Sequence, residues 1–155
     1  IFDIDYRPYS WSSPREAELT YSRAAEMADI IVGNDVEFGF LAGDYDKGLD
    51  AARSLARTRD RIVVYKMGEK GAITICDRDE FQTGIYRSKA LKPTGAGDAF
   101  MASFLAALAA EQPLTDAVLR GSAAAAIVVS KVGCAPAMPD IDELDAFIAA
   151  QDAPI

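Results

Sequence analysis

The chain opens on Ile1-Phe2-Asp3-Ile4-Asp5, where apolar and acidic residues alternate with the two-residue period of a strand. It then meets Tyr6-Arg7-Pro8-Tyr9, and Pro8 has no N–H to give to a central ladder. Asp5 and Arg7 are therefore expected at a strand's carboxyl end, where open α/β sheets place their ligands. Ser13 followed by Pro14 predicts an N-cap and a first helical residue, with Leu19, Ala24 and Met27 as apolar positions and an end near Ala28. Asp29 to Gly33 is a short apolar run, the form of a strand buried on both faces. Asn34 with Glu37 three residues on predicts a capping box at the start of a short helix.

Asp46 to Thr58 follows with helical spacing and Leu49, Ala52, Leu55 and Ala56 facing inward. Arg61 to Lys66 predicts a strand and Met67 to Gly71 a turn. Two more strands are expected, Ala72 to Cys76 and Phe81 to Tyr86, around the polar turn Asp77 to Glu80. Helices are expected over Ala99 to Ala110, Pro113 to about Val132, and Asp140 to Ala150. Gly133 is placed to end the second as a C′ residue, while Ile141, Leu144, Phe147 and Ile148 mark a buried face on the third. Alternation of strands and helices with a helical tail indicates an α/β fold with a largely parallel central sheet flanked by helices. At 155 residues this is one domain by length.

Composition changes the picture by exclusion. No histidine is present, which removes a Ser-His-Asp triad, a Cys-His pair and a His-ligated zinc site. Cys76 and Cys134 lie far apart, without metal-ligand spacing. The formal charge of −8, without a clustered basic stripe, argues against nucleic acid. The longest apolar stretch, Ala99 to Ala110, is too short to span a membrane. With no visible signal peptide, a cytoplasmic location is the default. The chain starts without methionine and already inside a strand, so residues upstream are expected.

One stretch carries candidate chemistry. Lys92-Pro93-Thr94-Gly95-Ala96-Gly97-Asp98 puts two glycines where a loop enters a helix. Backbone N–H groups at a helix start attract anions, and a carboxylate beside them suits proton removal from an alcohol. Those residues equally describe an ordinary capped turn, and taken alone both readings stand.

Read in order, the residues resemble the carboxyl-terminal half of the ribokinase-like (PfkB) family of sugar kinases. Thr94 to Phe100 is similar to that family's second signature. Asn34 with Glu37, Gly68 with Gly71, the Ala123 to Ala126 helix and Pro136 to Pro139 fall in the family's order. The resemblance implies a ribokinase-like fold in which residues 1–155 form the carboxyl-terminal, nucleotide-binding and catalytic half, with the amino-terminal half and lid missing. It implies Asp98 as catalytic base and the amides of Gly95, Ala96 and Gly97 as holders of the charge on the transferred phosphoryl group. Asn34 and Glu37 would organise Mg2+ through water. Asn34, Lys66, Gly68, Gly71, Ser122 and Ala126 would contact ATP, and Arg7 a sugar or sugar-acid substrate.

Structural alternatives accompany these roles. Lys66 equally suits a solvated charge, Ser122 and Ala126 suit helix packing, and Arg7 suits an ion pair with Asp5 or Asp3. Tyr9 and Trp11 are expected to pack as core. The segment Asp5 to Trp11 looks most like the branch of the family that phosphorylates 5-dehydro-2-deoxygluconate in inositol catabolism. 2-Keto-3-deoxygluconate and fructose are the alternative substrates, and an inactive nucleotide-binding fragment the alternative class. Lys92 stands where many relatives carry an acid that helps hold a monovalent cation, which implies activity independent of potassium. A homo-oligomer through exposed strand edges, or through the surface meant for the missing half, is a further expectation.

Overall fold

The computed structural model describes residues 1–59 and 61–154. The chain forms two compact units, Ile1–Gly68 with Ala72–Gln82, and Glu69–Gly71 with Thr83–Ile155.

The first unit is built on strands β1 (Phe2–Asp3), β2 (Ile30–Asn34), β3 (Ile62–Lys66), β4 (Ala72–Cys76) and β5 (Asp79–Thr83), adjacent in that order. β1 pairs with β2 and β2 with β3 in parallel, whereas β3 pairs with β4 antiparallel. The expected largely parallel sheet is thus mixed. Only residues 67–71 join β3 to β4, far too few for the crossover that a parallel neighbour needs. Ile31, Val32, Val63 and Val64 are fully buried, as apolar runs in a sheet covered on both faces should be.

β5 starts two residues before the expected Phe81 and ends at Thr83. Asp77 adopts φ +54°, a conformation Asp tolerates better than most residues. The hairpin accordingly closes over residues 77–78, and Asp79 and Glu80 join the strand.

Helix α1 (Pro14–Met27) starts as predicted, Ser13 Oγ accepting from Glu16 N at 3.2 Å. Its inward stripe is not the predicted one. Ala17 and Ala25 are buried with Tyr21 between them, while Leu19 and Met27 are 52% and 80% exposed. Four-residue spacing keeps 17, 21 and 25 on one face, and Leu19 lies about 200° round from Ala17. Helix α2 (Asp35–Leu41) follows β2 directly. Helix α3 (Gly48–Arg57) begins two residues later than predicted. Asp44 Oδ1 accepts from Asp46 N at 3.1 Å and caps a separate 3-10 turn, Tyr45–Lys47.

Arg61 is 2% exposed, and its guanidinium donates to Glu26 O at 2.5 Å and Leu55 O at 3.4 Å. Those carbonyls lie at the ends of α1 and α3, where helix dipoles favour a cation.

The second unit contains α4 (Ala96–Ala109), α5 (Leu114–Val129) and α6 (Ile141–Ala149). α4 begins three residues before the predicted Ala99, because Gly95 takes φ +89° and serves as its N-cap. α5 stops at Val129, short of the predicted Val132. Ser130 N and Lys131 N close its last turn on Ile127 O and Val128 O, and Ser130 Oγ adds a bond to Ile127 O at 2.7 Å. Gly133 has φ +113° but lies in the loop beyond, not at C′. Asp140 caps α6 through Glu143 N at 2.8 Å. Leu144 is buried, whereas Ile141 is 69% exposed, off the stripe assigned to it.

Gly71 has φ +86°, and a Cβ there would lie 1.9 Å from Thr83 O. Gly68 has φ +57° with open space around it. Gly71→Ala should therefore cost about 3 kcal/mol or more, and Gly68→Ala only about 1–2 kcal/mol of left-handed backbone strain. Urea melts of the two variants read this order, and equal losses would refute it.

Candidate active site

In the first unit the candidate residues gather at the carboxyl edge of the parallel strands. Asn34 ends β2 and lies across from Lys66, the last residue of β3. Asn34 Oδ1 accepts from Glu37 N at 2.9 Å, and Glu37 Oε2 accepts from Asn34 N at 2.7 Å, the predicted capping box in full. The Glu37 side chain is thereby drawn under the turn, and the residue is only 7% exposed. Burial holds its carboxyl above the usual carboxylate range. The Asn34 N–H and the Lys66 charge oppose that shift, and Asp3 and Asp5 add to it.

Arg7 takes the ion pair weighed from sequence, meeting Asp5 at 2.5 Å, and it also donates to Tyr6 O at 3.3 Å. Both side chains remain about half exposed. Beneath this turn Tyr6 stacks on Phe40 with ring centroids 3.7 Å apart, and Tyr21 meets Tyr6, Phe40 and Trp11 edge-on. Trp11 joins that cluster as expected. Tyr9 does not: it is 84% exposed, on a 3-10 turn with no buried residue.

Sequence reasoning missed one pair here. Tyr45 donates its hydroxyl to Asp35 Oδ2 at 2.6 Å, and that bond, more than any other cause, raises the phenol's pKa. Asp35 stands beside Asn34 at the start of α2, but its partner is ten residues on, so no local pattern marks it.

In the second unit, Gly95 to Asp98 form the entrance to the 14-residue α4. Ala96 N donates to Pro93 O at 3.3 Å and Ala99 N to Gly95 O at 2.9 Å. Among the described residues no backbone acceptor meets the N–H of Gly97 or Asp98. Two open donors thus sit at the positive end of a long helix, with the exposed Asp98 carboxylate in its first turn. Residues 91 and 92, which lead into this turn, are tied to the end of α5, since Leu91 N and Lys92 N both donate to Val129 O, at 2.7 and 3.1 Å. Cys134, also missed as a contributor, lies directly under the turn. Its Sγ would be 2.6 Å from a Cβ on Gly95.

Ser122 is 8% exposed, and its Oγ accepts from Tyr86 N at 3.4 Å. Ala126 lies in the apolar core with Tyr86, Leu119, Ala123 and Leu144. Both meet the packing role weighed for them. Gly71 belongs to this unit, and Gly68 to the first.

The raised carboxyl of Glu37 gives a pH test. A proton bound more tightly in the folded state stabilises fully below pH 4.5, the ordinary value for the group, and that stabilisation fades as pH rises through the folded pKa. Gln at this position keeps the capping acceptor. Glu37→Gln should therefore gain thermal stability relative to the parent chain as pH rises from below 4.5 to neutrality. Parallel melting-temperature profiles would show that no buried charge is involved.

Residues 1–141 match the family described as pfkB family carbohydrate kinase. The chain is 38% identical over 151 residues to a 5-dehydro-2-deoxygluconokinase of Halalkalibacterium halodurans, covering 96% of this chain and 46% of that protein. A protein of the same name from Photobacterium profundum is 40% identical over 154 residues, again with 96% and 46% covered. The chain thus spans about half the length of the curated relatives it matches. Among solved structures, aminoimidazole riboside kinase from Salmonella enterica, complexed with aminoimidazole riboside and an ATP analogue, aligns with a TM-score of 0.84 at 27% identity, over 96% of this chain and 51% of that one. Fructokinase from Vibrio cholerae, with fructose, ADP and calcium bound, aligns at 0.83 and 29% identity, over 95% and 49%. With its sequence and its fold both matching over most of its length, the chain belongs to the pfkB family of carbohydrate kinases and has a ribokinase-like α/β fold.

Proposed function

We propose that residues 1–155 are the carboxyl-terminal, nucleotide-binding and catalytic half of a kinase that moves the γ-phosphoryl group of ATP to a primary hydroxyl of a sugar acid, 5-dehydro-2-deoxygluconate. The entrance to α4 carries this reading. It combines a left-handed Gly95, open N–H groups on Gly97 and Asp98, and the Asp98 carboxylate, in a chain of a carbohydrate kinase family. The substrate is drawn from relatives named 5-dehydro-2-deoxygluconokinase.

In this mechanism the Asp98 carboxylate takes the proton from the acceptor hydroxyl. The hydroxyl oxygen bonds to the γ-phosphorus while the bond to the bridging β–γ oxygen breaks, and ADP leaves. Negative charge building on the transferred group is met by amides of the Gly95–Gly97 turn. Ala96 N–H is partly committed to Pro93 O, which leaves Gly97 as the stronger donor. Such charge stabilisation is the main task of a phosphoryl-transfer site.

A divalent cation would supply neutralisation of the phosphate oxygens. Glu37 and Asn34 fit one held through water: an amide and a carboxylate lie together at a strand end, and hard cations such as Mg2+ prefer oxygen donors and retain waters. Lys66, Gly68, Gly71, Ser122 and Ala126 are each proposed as contacts to the nucleotide. Arg7 is proposed to exchange Asp5 for the substrate's carboxylate, as its exposed ion pair permits. Such a kinase would work in the cytoplasm.

Fructose remains the second substrate reading, favoured by the likeness to fructokinase, and a substrate panel including 2-keto-3-deoxygluconate separates the three. Because the chain spans about half of its relatives, the isolated 155 residues are expected to bind nucleotide and to transfer phosphate feebly. In the full-length parent, Asp98→Asn should lower kcat by roughly 10²–10⁴-fold and leave Mg·ATP affinity, measured by calorimetry, unchanged. Transfer by that variant at the parent's rate would remove Asp98 from the base role. With Lys92 in place of an acid, replacing sodium by potassium should leave the parent's rate unchanged, and strong activation would overturn that assignment.

A further inference from the structure

We infer that Cys134 is a positioning residue for the Gly95–Asp98 turn, its side-chain volume setting where the open N–H groups of that turn point. The inference rests on the phosphoryl-transfer reading of this turn, and it concerns a residue that reading does not use.

The turn is anchored at two places within its unit. On its amino-terminal side, Leu91 N and Lys92 N share Val129 O, which fixes the strand of chain leading into Pro93. At its centre Cys134 lies nearest: its Sγ, Val128 Cγ1 and the Cys134 α-carbon would stand 2.6, 3.4 and 3.6 Å from a Cβ on Gly95. Gly95 is the residue whose φ of +89° turns the chain into α4. Gly95 thus packs on the sulfur, and the Cys134 backbone is itself held in place. Cys134 O accepts from Ala137 N at 3.0 Å, and Ala137 is fully buried.

Close-packed interiors transmit volume changes of a single methylene. Cys134 is half-buried, and a β-branched side chain there adds a methyl beside the place where its sulfur meets Gly95. A smaller one leaves the turn without support at the position where its backbone reverses. Serine, close to cysteine in shape, should preserve the arrangement, whereas valine should lift it. Since displacement of a reacting group by about 1 Å can cost on the order of 100-fold in rate, a lifted turn loses transfer without losing the fold.

Two measurements test this. In the isolated chain, amide NMR resonances of Gly95, Gly97 and Asp98 are compared among the parent, Cys134→Ser and Cys134→Val. In the full-length protein, kcat and KM for sugar and for Mg·ATP are compared for the same variants, with melting temperatures recorded. The valine variant should shift those three amides and lower kcat by roughly 10–100-fold, with the sugar KM and melting temperature unchanged. The serine variant should behave as the parent in every readout. Unmoved amides in the valine variant would overturn the inference whatever the activity. Should valine prove too disruptive to fold, Cys134→Ala replaces it, and unmoved amides there have the same force. Shifted amides with unchanged kcat would overturn the positioning role and count against the Gly95–Gly97 donors as well. Absence of transfer in the parent would refute the kinase reading alone, while the amide shifts still decide whether residue 134 positions the turn.

Discussion

In the ladder between β2 and β3, Asn34 lies across from Lys66, and every candidate group of the first unit takes its place from that register. Side chains on a strand alternate between faces, and both faces are covered here, so a slip by one residue would exchange the rows and misfit Ile31, Val32, Val63 and Val64 against both layers. The register is therefore fixed by burial, far from any chemistry. Its consequence appears at the strand ends. Asn34 can cap α2 only because β2 stops there, and Glu37 is buried only because that cap draws it back. Lys66 then stands near enough for its charge to offset part of the burial penalty on Glu37. The parallel pairing of β1 with β2, through Phe2 opposite Ile31, brings Asp3 and Asp5 to the same edge with the opposite effect.

Arg61 does comparable work at the other end of β3, where it immediately precedes the strand. It is buried, and among the described residues no carboxylate is bonded to it and its Nε has no partner. What stabilises the charge is the pair of helix ends beside it, whose carbonyls at Glu26 and Leu55 carry partial negative charge. α1 and α3 are thus tied to the start of the strand whose far end carries Lys66. Arginine suits the role better than lysine, since a planar fork can bond two carbonyls at once.

What could be read from the sequence follows the range of each interaction. The caps at Ser13 and Asn34 involve residues three apart and form as the sequence predicts, while Asp140, expected as the first residue of its helix, caps it at the same spacing. Apolar runs located β2, β3 and β4 to within a residue, because burial on both faces leaves little else for them to be. Failures came where a second element decides. Leu19 and Met27 are apolar yet exposed, since alanines and an aromatic on another stripe of α1 face inward instead, and on α6 Leu144 is buried while Ile141 is exposed. α5 ends early through bonds from Ser130 and Lys131 that a glycine signal at 133 concealed. Cys134 under Gly95 and Tyr86 on Ser122 join residues more than thirty positions apart, and no spacing rule links them.

Glycines deserve separate weighing, because they supplied much of the family signature and are often read as evidence of a ligand. Gly71 must be glycine for a reason inside the protein: Thr83 O occupies the space of its Cβ. Gly95 is similar, crowded by the Cys134 sulfur as well as turned left-handed. Neither requires a bound molecule to account for it. Gly68 differs, since its left-handed φ is relieved by glycine while nothing within 4 Å fills the room a side chain would take. Of the three glycines, Gly68 is the one held to glycine by its left-handed φ alone, with no neighbouring atom in the place of its Cβ.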